Sequence, residues 1–126
     1  MGLKEKMMNQ IIKIKVQKIE KGQIIFEMKC LKMVSKEFEI YEEFLHKALK
    51  KLNGITKVYV DMKERKIAVS FNEDEQDANK VIDWAEEVRR IGIKNSDLIA
   101  SKGNTDLEYV VKTIEKQLDD ELRKYS

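Results

Sequence analysis

Residues 51–71, "KLNGITKVYVDMKERKIAVSF", contain most of a fold in one short run. Leu52 closes an apolar helical stripe, and Asn53-Gly54 stops it, since glycine takes the left-handed conformation that ends a helix. Val58, Val60 and Met62 then alternate with polar residues, the period of a strand with one buried face. Lys63-Glu64-Arg65 turns the chain, and Ile67, Val69 and Phe71 bring it back as the second strand of a hairpin.

The same grammar holds on the N-terminal side. "IIKIKVQKI" alternates Ile12, Ile14 and Val16 with Lys13, Lys15 and Gln17; "EKGQ" turns at Gly22; "IIFEMKC" resumes with Ile24, Phe26, Met28 and Cys30 on one face. The alternation changes phase at Leu31, which places a bulge or the strand end there. Ser35 is suited to cap a helix whose stripe is Phe38, Tyr41, Leu45, Ala48, Leu49 and Leu52.

On the C-terminal side, Asn72 or Asp74 is suited to cap a second helix with Ala78, Val81, Ile82, Ala85 and Val88 inward. Arg89 and Arg90 suit its negative end, and Gly92 is read as its stop. Residues 94–104 read as a polar link with one helical turn at its centre. Thr105-x-x-Glu108 then forms a capping box for a third helix with Leu107, Val110, Val111, Ile114, Leu118, Leu122 and Tyr125 on one stripe.

The order β-β-α-β-β-α-α predicts an α+β fold, an antiparallel sheet covered by helices on one face. Residues 1–126 read as one domain, with an α+β core over 11–93, the link over 94–104 and a C-terminal helix over 105–125. Two ββα units, 11–53 and 55–92, suggest an internal duplication.

Composition narrows the class. The 126 residues are 42% hydrophobic and 38% charged, a globular but charge-rich chain. There is no proline, so the connections fall to Gly, Asn, Asp, Ser and Lys. A single cysteine cannot form an internal disulfide, which fits a reducing compartment, and no apolar run approaches a membrane span. A cytoplasmic protein with no membrane partner is the expectation. Net charge is +2 overall, but residues 1–66 carry +7 and residues 67–126 carry −5. Such asymmetry suits a nucleic-acid face or a basic surface docking on an acidic one.

From Leu31 to Ile93 the pattern resembles the heavy-metal-associated domain of copper chaperones and metal-pumping ATPases. The pieces that carry the likeness are "ALKKLNGITKVYVDMKERKIAVSF" and "VIDWAEEVRRIGI", about half the chain. The resemblance implies a ferredoxin-like centre, βαββαβ in that family. The family's soft-metal chemistry needs Cys-x-x-Cys before the first helix, because two thiolates at that spacing clamp the ion. Here that loop reads "KMVSKEF", and Cys30 is the sole cysteine, so no metal or other cofactor is expected. Cys30, Met28 and Met33 read as core.

Nothing in the chain pairs a nucleophile with a base, and the only histidine, His46, falls on the polar side of its helix. No glycine-rich phosphate loop is present. A non-catalytic role follows: a binding or regulatory module acting through a homo-oligomer or a protein partner. Its expected contacts are Ile40, Phe44, Trp84 and Ile91, which lie off the centres of their helical stripes, with Lys13, Lys15 and Arg65 as charged contacts. Internal packing beneath the third helix is the competing reading of Trp84 and Ile91. Nucleic acid is the alternative partner, held by Lys13, Lys15, Lys29, Lys57, Lys63, Arg65 and Lys66 on the hairpin faces. Against it, Tyr59 is the one strand aromatic pointing away from the core, and Glu27 interrupts the basic row.

Overall fold

In a computed structural model of the chain the described residues are 13–29, 35–61, 63–95, 98 and 107–125; at 29, 35–41 and 107 the backbone alone is described. Two hairpins supply the strands: β1 (Lys13–Glu20) with β2 (Gln23–Lys29), and β3 (Ile55–Asp61) with β4 (Lys66–Phe71). They join into one antiparallel sheet of order β1-β2-β4-β3. Three helices follow the strands: α1 (Ser35–Lys50), α2 (Ala78–Lys94) and α3 (Leu107–Leu122), the last running into a 3-10 turn, Arg123–Tyr125. The fold is α+β in the element order that the periodicities predict.

Alternation is the physical cause of the layering. Ile24, Phe26 and Met28 of β2, Val58 and Val60 of β3, and Ile67, Val69 and Phe71 of β4 are all buried on one side. Against them pack Leu45, Ala48 and Leu49 of α1 and Val81, Ala85 and Val88 of α2. The neighbours of α3 are α2 and α1, and it buries Val110, Ile114 and Leu118 against that pair. No helix among the described residues is long and apolar enough to cross a membrane.

The βαββαβ order implied by the resemblance needs a strand after the second helix. The described residues there form α3 instead, and β1, arriving from the N-terminal side, takes the place beside β2. The sheet has a second regularity. Ser35 and Ala78 open α1 and α2, Gly22 and Arg65 end the two hairpin turns at φ 73° and 57°, and Ile24 and Ile67 are the first buried residues of β2 and β4; each pair is 43 positions apart. Ile24 pairs with Val69 and Phe26 with Ile67, so the same shift exchanges the central strands and leaves their register unchanged. This is the geometry of a repeated ββα unit, with a local two-fold between β2 and β4.

Three boundaries differ from the sequence reading, the end of α1 and the cap and stop of α2, and the strands add two irregularities. The β1 bulge falls between Val16 and Lys18, and a second irregularity lies between Ile55 and Thr56-Lys57; Leu31, the expected site, is outside the described residues, as are Ile12, Cys30, Met33, Met62 and Thr105. The cap of α2 is Asp77, whose carboxylate accepts from the Asn79 N–H at 2.7 Å, while Asn72 and Asp74 form the preceding turn. Gly92 is inside α2 and buried; the helix stops at Asn95, whose backbone N–H and side-chain amide both donate to the Ile91 carbonyl. α1 ends at Lys50, before Asn53-Gly54. Gly54, at φ 96°, serves the turn that follows, closed by the Ile55 N–H on the Leu52 carbonyl, and a Cβ there would lie 2.7 Å from Gln76 Cβ, so the close approach of the β4–α2 loop also requires glycine.

Candidate functional site

Trp84 and Ile91, expected to contact a partner, are interior: Trp84 is 0% and Ile91 5% exposed. α1 and α3 flank α2 on both sides, which widens its buried arc beyond the sheet-facing stripe. The buried Trp84 Nε1–H finds its partner in the Ala48 carbonyl at 3.0 Å, near the end of α1, where that carbonyl also accepts from the Lys51 N–H at 3.3 Å. The Trp84 ring meets Tyr125 edge-on, centroids 5.4 Å apart. Burial, then the carboxylates of Glu87 and Asp83, push the Tyr125 phenol above its ordinary pKa. Asn95 and Gln117 exchange amide hydrogen bonds of 2.8 and 3.2 Å, and Lys51 meets Asp119 at 2.9 Å, so α3 is tied to both other helices. Phe44 is half-buried and packs on the core. The Ile40 side chain lies outside the described residues.

The residues that remain at the surface converge on the other side of the sheet, which no described element covers. Antiparallel pairing aligns its side chains in rows across all four strands. From β1 to β3 the first row is Lys15, Glu27, Lys66, Asp61; the second is Lys18, Ile25, Ala68, Tyr59; the third is Glu20, Gln23, Ser70, Lys57. Tyr59 is 58% exposed, one of the most exposed large apolar side chains, and with Ile25 and Ala68 it gives the face an apolar centre. Charges surround that centre, with alternating sign along the first row. Lys18 and Glu20 pair along the edge at 2.6 Å, and this hydrogen bond, then the Glu20 charge, raises the Lys18 pKa.

Of the predicted charged contacts, Lys13 and Lys15 stand exposed on β1, and Lys15 belongs to the first row. Arg65 is exposed in the β3–β4 turn, where its carbonyl accepts from the Met28 N–H at 2.8 Å. Sequence reasoning missed Lys18, Glu20, Asp61 and Ala68. The signal for Lys18 and Glu20 was Ile19, which falls out of step with Ile14 and Val16 and so marks the bulge that turns both neighbours outward. Asp61 also accepts from the Glu64 N–H at 3.0 Å, which shapes the turn.

Elsewhere the carboxylates serve helix surfaces. Glu86 with Arg89, Glu87 with Arg90 and Glu121 with Lys124 are pairs one turn apart. Among the described residues no three His, Cys, Asp or Glu side chains gather as a metal-ligand set. A cavity between sheet and helices, lined by Phe26, Met28, Leu49 and Arg89, has room for about one water, and its walls are almost wholly apolar.

No protein-family model, no curated protein and no solved structure matches the chain.

Proposed function

We propose that the protein is a non-catalytic binding module that docks a protein surface on the uncovered face of its sheet. The observation that carries this reading is Tyr59, an exposed aromatic on the edge strand β3, from which Ala68 and Ile25 continue an apolar row across the centre of the face. A rigid aromatic ringed by charge is the usual composition of a protein-docking patch. Its companions weigh against nucleic acid as the ligand. A phosphate chain is held by a run of cations, whereas Glu27 and Asp61 alternate with Lys15 and Lys66 across this face. The cytoplasm, expected from the unpaired cysteine, is the compartment we assign.

A photo-crosslinking amino acid placed at position 59 tests this in living cells, with Glu43, exposed on α1, as the control position. The reading requires a crosslinked protein product from position 59 that the control does not give. Crosslinks to nucleic acid alone, or none above the control, would overturn it.

A further inference from the structure

The three rows that cross all four strands of the uncovered face, with Lys13 of β1 lying beyond them, share a property that none of their residues has alone. Each is the complement of its own reverse. Reading the first row backwards turns Lys15-Glu27-Lys66-Asp61 into Asp61-Lys66-Glu27-Lys15, so each cation falls opposite an anion. Reversal of the third row sets Glu20 against Lys57 and Gln23 against Ser70. Reversal of the second sets Lys18 against Tyr59, a cation over an aromatic ring, and Ile25 against Ala68.

One rotation performs this reversal on all rows together. Take a two-fold axis parallel to the strands, above the seam between β2 and β4. It lays a second sheet face to face on the first, keeps every row at its own level along the strands, and reverses each row from side to side. The strand axes of the two sheets then lie along one another, β1 over β3 and β2 over β4 in antiparallel sense, the aligned packing that twisted sheets adopt. A C2 contact must be self-complementary, and the three rows meet that demand in the residues they set opposite one another.

From this we infer that the uncovered face is the interface of a homodimer, with a second copy of this chain as its occupant. The inference rests on the docking reading above and names the partner. The sheet is four strands wide at about 4.8 Å each and the three rows span about 20 Å, so the two copies bury on the order of 800 Å² between them. That is at the low end for a specific contact, so the dimer is weak, and salt weakens it further because its rim is made of exposed ion pairs.

The test uses two double variants of the full chain. In one, Lys15→Glu and Lys57→Glu set carboxylates against Asp61 and Glu20 of the second copy. In the other, Glu20→Lys and Asp61→Lys set ammonium groups against Lys57 and Lys15. Each variant alone is a monomer at concentrations where the wild type is dimeric, a loss of affinity of about tenfold or more. Mixed in equal amounts they form a dimer of one chain of each kind, resolved by mass in native mass spectrometry. Because Lys15 and Asp61 lie on opposite edge strands, rescue cannot come from a contact within one chain. Recovery of the mixed dimer also demonstrates that both variants fold, and thermal melting of each alone checks this independently. A wild type that stays monomeric at low salt overturns the inference, as does a dimer that survives in both variants. If the wild type is monomeric while position 59 still crosslinks a different protein, the second copy is the wrong occupant and the docking reading stands; if position 59 crosslinks nothing, both fall.

Discussion

Val69 and Ala68 are neighbours on one strand and belong to different problems. Val69 faces the helices, is fully buried, and pairs across the sheet with Ile24 and Val58 in a row that is apolar throughout. Ala68 faces the other way, between Ile25 and Tyr59 in a row that begins with Lys18. The covered face is specified by what must be excluded from water, so its residues are interchangeable in kind and strict in position. The uncovered face is specified by order, since the charges of its first and third rows cancel across the four strands.

The largest expected effect separates the two directly. Val69→Asp places an unpaired carboxylate in the core, costing several kcal/mol, a large part of the roughly 5–15 kcal/mol that holds such a domain together. Circular dichroism should find it unfolded or nearly so. Ala68→Asp should stay within about 0.5 kcal/mol of wild type in monomer stability, as surface changes do. It should nonetheless weaken self-association, read by sedimentation. Loss of the fold in both variants would erase the distinction between the faces.

A smaller effect sharpens the covered side. Trp84→Phe keeps an aromatic ring and removes one donor to the Ala48 carbonyl, which retains the Lys51 N–H, so the cost is that of one hydrogen bond, about 0.5–1.5 kcal/mol. Chemical denaturation should show that drop with the assembly of the folded protein unchanged, because Trp84 belongs to the inner layer. A change in assembly with stability intact would instead return Trp84 to the partner contacts.

How much of this was legible in the chain follows from the same contrast. Period-two alternation with Asn53-Gly54 was enough for the sheet, its helices and its covered face. The boundaries misread were those decided by a local contest: α2 runs on through the buried Gly92 to Asn95, whose side chain takes the Ile91 carbonyl, and Asp77 caps it because Asn72 is occupied with the preceding turn. Trp84 looked like a surface anchor because one helix viewed alone has a single inner face, and the two flanking helices supply a second. Least legible was the matching of the rows. Lys15, Glu27, Lys66 and Asp61 are scattered over three segments of sequence, and only the register across β1, β2, β4 and β3 places them in line.

The most direct measurement of the central claim is sedimentation equilibrium of the wild-type chain at low and at high salt. The account predicts a monomer–dimer equilibrium with no larger species, shifted toward monomer as salt rises. A monomer throughout, or an association that salt leaves unchanged, would contradict it.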